Sequence, residues 1–238
     1  MANNYFQFKQ FTVQQDKCAM KVCTDACLFG AFIANEIKDK TLSAILDIGA
    51  GTGLLSLMIA QKTTEAIDAV EIDVAAFEQA KENIERSPFK DRIEIFNDNI
   101  VQFSRGKKYE CVISNPPFFE DDLQSADDKK NAAKHDTTLT LEQLLTSINN
   151  HLKEDGYFAV LLPYHRVDHF IQQSEAKGFY LTHKLSVQQT PKHNFFRGIL
   201  IFSRARSTAQ TNELSIKDEA GNYTTAFTNL LKDYYLYL

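Results

Sequence analysis

The sequence lacks any run of about 18 apolar residues, the length a helix needs to cross a bilayer, within its 238 residues. Its first residues also lack a basic segment followed by an apolar stretch, so we expect no secretory signal peptide. No stretch rich in proline, glycine and serine divides the chain, and no internal repeat is apparent. These absences favour one globular domain in the cytoplasm, and a hydrophobic share of 44% allows a sizeable core.

Paired cysteines of the C-x-x-C type are also absent. The four cysteines are Cys18, Cys23, Cys27 and Cys111. The first three follow a C-x4-C-x3-C spacing, which does not match the knuckles of a structural zinc site. We therefore expect reduced thiols, with Cys111 in a buried strand, and no metal.

The chain has no excess of basic residues, since its net charge is −5. A basic surface supplies most of the affinity of proteins that bind nucleic acids without specificity. The charge therefore weighs against broad nucleic-acid binding, but it leaves room for a local basic patch.

Short apolar runs alternate with helical patterns along most of the chain. The runs typical of strands cover residues 44–48, 66–72, 93–96, 109–114, 157–162, 181–188 and 199–204. The helical patterns cover residues 26–37, 54–60, 74–85, 141–152 and 166–177. This alternation predicts an α/β fold with a doubly wound, mainly parallel, seven-stranded sheet that carries helices on both faces. A short strand is also expected within residues 6–11.

A glycine-rich segment follows the first of these apolar runs, with Gly49, Gly51 and Gly53 in a G-x-G-x-G spacing. Glycines at the end of a buried strand let the backbone turn tightly and let a ligand approach it closely. The spacing differs from the G-x-G-x-x-G of nicotinamide and flavin sites. Asp47, two residues before Gly49, is placed to accept a hydrogen bond near the amino-acid part of a ligand. The segment predicts a cofactor site.

Acidic residues end the next two strands. Glu71 is placed to bind both ribose hydroxyls of a nucleoside. Asp73, two residues later, can instead cap the following helix, and both roles stay open for it. Asp98, after the third strand, is placed to accept a hydrogen bond from an adenine amino group. Together these residues predict a nucleoside pocket at one edge of the sheet.

The segment Asn115-Pro116-Pro117-Phe118 follows the fourth strand directly. Two prolines fix φ near −65° and stiffen the loop. The Asn115 side chain and the Pro116 carbonyl can then both accept hydrogen bonds from one planar NH2 group, which directs the nitrogen lone pair toward a methyl donor. Phe118 offers a ring on which an extruded base can stack. These four residues are the predicted catalytic group.

With these motifs in this order, the sequence resembles the class I S-adenosylmethionine methyltransferases that carry an N-P-P-[FY] loop. Within that group it is most similar to the bacterial tRNA adenine-N6 methyltransferases that modify adenosine 37 of valine tRNA. The similarity extends to residues 6–11, 20–30 and 193–200 and so spans nearly the whole chain. Cys23 departs from an expected glycine, and Cys27 stands at a position that is usually small.

The resemblance implies a Rossmann-like methyltransferase, S-adenosylmethionine as cofactor, tRNA as substrate and a monomeric enzyme. It also implies that Lys21, Thr24 and Asp25 help to close over the methionine end of the cofactor. On this basis residues 1–238 form one domain. Residues 1–40 cover the cofactor, residues 41–205 form the core and residues 206–238 form a C-terminal tail.

Two groups of basic residues are candidates for RNA contact. The first is in the segment after the catalytic loop and includes Lys134, although four aspartates in the same segment oppose phosphate binding. The second precedes the last strand and comprises Lys192, His193 and Arg197. Both groups are expected to flank the pocket mouth.

Other activities share the planar-amide chemistry and remain as alternatives. Glutamine-N5 methylation of proteins is one, although those enzymes carry an extra N-terminal helical domain and only some 40 residues precede the first strand here. Guanine-N2 methylation of ribosomal RNA is a second, and those enzymes tend to be longer. DNA adenine methylation is a third, although the chain lacks an insertion large enough for a target-recognition domain. From a different class, a non-catalytic module that binds RNA or the cofactor is also possible, and the intact Asn-Pro-Pro-Phe segment argues against it.

Overall fold

The computed structural model describes residues 3–18, 20–40, 42–116 and 139–238. In these residues the chain forms ten strands and six α-helices. The strands are β1 Tyr5–Gln7, β2 Thr12–Gln14, β3 Ala44–Ile48, β4 Ala66–Glu71, β5 Ile93–Asn97, β6 Tyr109–Ser114, β7 Leu152–Pro163, β8 Tyr180–Gln188, β9 Phe195–Ser203 and β10 Gln210–Ser215. The helices are α1 Thr24–Ile37, α2 Leu54–Ala60, α3 Val74–Glu85, α4 Leu141–His151, α5 Val167–Ala176 and α6 Thr225–Leu231.

The strands β3 to β10 form one mixed sheet in the order β10-β8-β9-β7-β6-β3-β4-β5. All neighbours from β7 to β5 run parallel, and β9 runs antiparallel to both β7 and β8. The chain adds β4 and β5 on one side of β3 and β6 and β7 on the other. This arrangement confirms the predicted α/β class with a doubly wound, mainly parallel sheet.

The sheet has eight strands in the described residues, where the sequence led us to expect seven. The additional strand is β10, which lies in the segment assigned to the C-terminal tail and pairs in parallel with β8. The sequence of β10 shows little alternation of apolar residues, and Leu214 is the one residue of this strand that is buried. At the other end of the chain, the strand expected within residues 6–11 is shorter, and β1 pairs with β2 in a separate two-stranded sheet.

The core consists of two layers, one on each face of the sheet. The first layer joins buried side chains of α1, α2 and α6 to one face, and the second joins those of α4 and α5 to the other. The strands β3 and β6 are buried over most of their length, because helices cover both of their faces. The helices on both faces agree with the sequence prediction.

The last residues of the chain pack against the first. The backbone N–H of Lys9 donates to the Tyr234 carbonyl at 2.8 Å, and Phe8 forms an isolated bridge with Tyr235. Tyr234 is almost fully buried, and its hydroxyl donates to the Met58 carbonyl at 3.0 Å. Among the described helices, none combines the length and apolar character that would cross a membrane.

Candidate active site

A large cavity lies at the carboxyl ends of β3, β4, β5 and β6. These strands meet where the chain reverses the direction in which it adds strands to the sheet, which is where open α/β sheets bind ligands. The cavity measures about 1440 Å³, whereas small-molecule sites usually measure roughly 300–1,000 Å³. It is therefore large enough for two ligands side by side.

The glycine turn after β3 forms the floor of the cavity. Gly49 and Gly51 line it and have positive φ angles of 73° and 56°. A Cβ atom built on either of them would meet nothing within 4 Å, so the open space above the turn is available to a ligand. Gly53 does not line the cavity and instead begins α2 close to Ala80 of α3. The first two glycines thus expose the backbone, and the third packs one helix against another.

Asp47 lies directly behind this floor and is completely buried. The Ser56 hydroxyl donates to its Oδ2 at 2.7 Å, whereas Oδ1 has no hydrogen-bond partner. Burial raises the pKa of Asp47 to about 7, although the bond from Ser56 partly opposes this effect. A buried carboxylate oxygen without a partner costs free energy. Asp47 is not among the residues that line the cavity, so its contact with a ligand stays a prediction.

Glu71 and Asp73 lie at the end of β4 on the wall of the cavity. The Glu71 carboxylate accepts one hydrogen bond from the Gly51 N–H at 2.8 Å and another from the Asp73 N–H at 2.9 Å. These bonds fix its orientation, and each oxygen retains a further lone pair for a hydroxyl group. Asp73 caps α3 by accepting from the Ala76 N–H at 2.8 Å, so the capping interpretation of Asp73 is confirmed while the residue also lines the cavity.

Asp98 follows β5 on the same wall and is exposed. Its N–H donates to the Glu71 carbonyl at 3.2 Å, and its Oδ1 accepts from the Asn99 N–H at 2.7 Å. The apolar side chains of Ile72 and Val101 lie nearby in the lining, and both are exposed in this structure. A carboxylate and exposed apolar side chains in one cavity lining provide the surroundings that a flat heterocycle needs.

Asn115 and Pro116 lie at the end of β6 and line the opposite side of the same cavity. Ser114 pairs with Ile48 in the sheet, and its hydroxyl donates to the Ile48 carbonyl at 2.9 Å. This bond ties the start of the Asn-Pro segment to the start of the glycine turn. Pro117, Phe118 and Lys134 lie outside the described residues.

Residues 20–25, the closing segment, run into the first turn of α1, and most of them line another side of the cavity. Lys21 and Asp25 line it, and Asp25 forms an ion pair with Arg197 of β9, with 2.6 Å between Oδ2 and Nε. Thr24 is exposed and is not among the lining residues. The structure therefore brings Lys21 and Asp25 to the cavity but does not place Thr24 in its lining.

The candidates for RNA contact occupy different positions. Arg197 lies in the cavity wall, where its ion pair with Asp25 holds it. Lys192 is exposed and pairs with Glu219 at 3.0 Å. His193 is exposed, shares a 2.7 Å hydrogen bond between Nδ1 and the Thr190 hydroxyl, and lines a smaller neighbouring cavity. Thus only Arg197 among these three contacts the main cavity.

Sequence reasoning missed several aromatic residues of the site. Tyr164 of the 3-10 turn Tyr164–Arg166 lines the cavity together with Phe195 and Phe196 of β9. The two phenylalanines belong to a stretch that carried the family resemblance, but nothing in the sequence pairs them with Tyr164, which is about 30 residues away along the chain. Only the antiparallel pairing of β7 with β9 brings them together.

The sequence of this chain matches those of known methyltransferases. Residues 30–171 match the model of the methyltransferase small domain. A tRNA1(Val) (adenine(37)-N6)-methyltransferase of Dyadobacter fermentans is 47% identical over 98% of this chain and 98% of its own. Proteins of the same name from Pectobacterium carotovorum and Bacteroides thetaiotaomicron are 40% and 39% identical, over 98% and 100% of this chain and 94% and 100% of their own.

Solved structures share the fold at low sequence identity. A predicted O-methyltransferase from Agrobacterium tumefaciens superposes with a TM-score of 0.68 at 16% identity, covering 88% of this chain and 96% of its own. A putative RNA methyltransferase from Pyrococcus horikoshii has a TM-score of 0.54 at 23% identity, over 77% and 83%. The near full-length sequence matches are decisive: this chain is a methyltransferase of the methyltransferase small domain family, and it belongs to the tRNA1(Val) (adenine(37)-N6)-methyltransferases.

Proposed function

We propose that this protein transfers a methyl group from S-adenosylmethionine to N6 of adenine in tRNA, at adenosine 37 of a valine tRNA. The observation that carries the proposal is the placement of Asn115 and Pro116 on the same cavity as the Gly49–Gly51 turn. The names of the full-length relatives support the choice of base and position.

The residues around the cavity fit this cofactor. The unpartnered Oδ1 of Asp47 suits the ammonium group of its methionine part, and the open space over Gly49 and Gly51 suits close approach to the backbone. Glu71 can accept from the ribose hydroxyls, and Asp98 can accept from the adenine amino group. We propose that Lys21 and Asp25 close over the methionine end.

The cofactor supplies an electrophilic methyl group on a sulfonium. The chain supplies two acceptors, the Asn115 side-chain oxygen and the Pro116 carbonyl, which hold the two amino hydrogens of the base and direct its lone pair. No strong base is needed, because the amino nitrogen becomes acidic only once it carries the methyl group and a positive charge. The rate then depends on positioning and on electrostatic stabilisation of that charge.

For the remaining positions we propose roles that follow their surroundings. Lys192 and His193 at the turn between β8 and β9 contact the RNA, together with Lys134. Arg197 holds Asp25 through its ion pair and so supports the closing segment. Residues 1–238 act together as one methyltransferase domain, because the first and last residues pack on each other and on α2.

A labelled-methyl assay tests the proposal. The purified protein is incubated with cofactor labelled in the methyl group and with tRNA, DNA or protein extract. We expect label in tRNA alone, and we expect Asn115→Ala to lower the rate at least about 100-fold, by analogy with the loss of one group that stabilises a transition state. Binding of S-adenosylhomocysteine, the unreactive product, should stay within twofold.

Asn149→Ala is the matched control. Asn149 is an exposed asparagine that contacts Arg204 at 3.0 Å, remote from the cavity lining. Its variant should transfer methyl at the wild-type rate. Label in protein alone would contradict the proposal and favour glutamine methylation.

A further inference from the structure

A second, smaller cavity adjoins the main one. It measures about 440 Å³ and is lined by Tyr164, Gln188, His193, Asn194 and Phe195. Tyr164 and Phe195 also line the main cavity, so this aromatic pair forms the shared wall. These two rings therefore separate a ligand in the second cavity from a ligand in the first.

The aromatic pair is firmly held yet accessible. The ring centroids of Tyr164 and Phe195 lie 5.1 Å apart at an angle of 41°. Tyr164 follows the end of β7 and Phe195 begins the neighbouring strand β9, so the sheet sets the backbone positions from which both rings project. Both side chains are half-buried, which leaves part of each ring open to a ligand.

The polar groups of the second cavity suit the edges of a nucleobase. Gln188 and Asn194 carry amides, each of which can both donate and accept, and His193 carries an imidazole. The Lys184 ammonium lies 5.3 Å from the centre of the Tyr164 ring, close enough to contribute positive charge beside the rings. Aromatic faces with amide edges are the combination by which proteins bind unpaired bases of RNA.

We propose that Tyr164 and Phe195 form a stacking site for the nucleotide next to the target adenine. The proposal rests on the proposed function, since it assigns the neighbouring base of the same RNA. While the target base enters the main cavity, the adjacent base stacks on the shared aromatic wall and its edge meets Gln188 and Asn194. The site thereby contributes to the choice of sequence around the methylated position.

The test combines a change in the protein with a change in the RNA. A tRNA substrate is assembled by ligation with an abasic nucleotide on the 5′ or the 3′ side of the target adenine, and kcat/KM is measured. For the wild-type protein we expect one of the two abasic substrates to react about tenfold more slowly, the effect of losing one stacked base. Phe195→Leu removes the ring but keeps apolar volume. For this variant, the kcat/KM values of the intact and abasic substrates should differ less than twofold.

Two further variants separate stacking from damage to the fold. Tyr164→Leu should also remove the difference between intact and abasic substrates. Tyr180→Leu should preserve it, because Tyr180 is a half-buried tyrosine at the far end of β8 under Arg206 and is not among the residues lining either cavity. Tyr180→Leu should also bind S-adenosylhomocysteine with wild-type affinity, and urea unfolding shows whether Phe195→Leu and Tyr164→Leu remain folded.

Two results overturn the stacking site alone. In one, neither abasic substrate is slower with the wild-type protein. In the other, the full tenfold penalty persists in both Phe195→Leu and Tyr164→Leu. If the wild-type protein methylates adenine in no tRNA, the proposed function fails and the stacking site fails with it.

Discussion

Among single residues, Asp47 is the proposed partner of the cofactor's ammonium group. It is completely buried, one of its oxygens has no partner, and burial raises its pKa to about 7. A neutral carboxyl attracts an ammonium group far less than a carboxylate does, so under this proposal we expect the cofactor to bind best when Asp47 is ionised. Binding should therefore depend on pH around neutrality.

We predict that S-adenosylhomocysteine binds the wild-type protein about tenfold more tightly at pH 8 than at pH 6, because most Asp47 side chains lose their proton in that interval. Asp47→Asn should bind more weakly at pH 8 and lose most of this dependence. Titration calorimetry at both pH values measures the effect. Asp68→Asn is the control, because it changes a buried aspartate that contacts Tyr109, and it should keep the wild-type pH dependence of binding. If Asp47→Asn also kept the wild-type pH dependence, Asp47 would not be its cause.

The same carboxyl affects stability in the protein without cofactor. Its pKa is about 7 when folded and about 4 when unfolded, so the folded state holds the proton more tightly. This stabilisation is complete below pH ~4 and is lost as the pH rises to about 7. We predict that the wild-type protein loses unfolding free energy relative to Asp47→Asn between pH 5 and pH 8, as measured by urea unfolding. A constant difference would contradict the raised pKa.

At the scale of elements, contact between β9 and α5 leaves no space for a side chain at Gly198. A Cβ atom there would lie 2.5 Å from Cγ2 of Val167, the first residue of α5. We predict that Gly198→Ala lowers the unfolding free energy by about 1–3 kcal/mol, the usual cost of overpacking. Adding Val167→Ala should recover part of this loss in denaturant unfolding. If the losses of unfolding free energy of the two single variants simply added in the double variant, the clash would not be the cause of the Gly198→Ala effect.

The ion pair between Asp25 and Arg197 joins α1 to β9 beside the cavity. We predict that Asp25→Ala and Arg197→Ala each weaken binding of S-adenosylhomocysteine several-fold, since each frees the closing segment. The double variant should bind S-adenosylhomocysteine no more weakly than the single variant of lower affinity. This result corresponds to a coupling free energy of about 1 kcal/mol between the two residues. Calorimetry on all four proteins gives this coupling, and fully additive losses would mean that the two residues act independently.

Elements with strong periodicity were predictable from sequence, and those that depend on distant partners were not. The apolar run of β3 and the helical pattern of α3 reflect burial along the element itself, so their bounds agree with the expectation. β10 is mostly exposed and exists because β8 offers it a parallel edge. In the site, the strand-end carboxylates and Asn115 were predictable from motif order, whereas the Tyr164–Phe195 pair required the pairing of β7 with β9.

At the scale of the whole molecule, the chain ends stabilise the helix behind the glycine turn. Tyr234 donates to the Met58 carbonyl in the last turn of α2, where helix carbonyls lack partners within the helix. We predict that Tyr234→Phe lowers the unfolding free energy by about 1–2 kcal/mol, because a buried carbonyl loses its donor. Tyr237→Phe, at an 89% exposed position, should leave it unchanged. Thermal or urea unfolding compares the two variants, and equal stabilities would contradict the role of Tyr234.

The proposed reaction requires that a rigid pair of acceptors beside the cofactor cavity holds the amino group of an adenine base. We test this by mass spectrometry of the nucleosides and of the ribonuclease fragments of purified valine tRNA treated with the protein and S-adenosylmethionine. We predict new N6-methyladenosine in the valine tRNA at position 37, and none when Asn115→Ala replaces the wild-type protein. Methylated guanine, or tRNA that remains unmodified while protein glutamine gains the methyl group, would contradict the account.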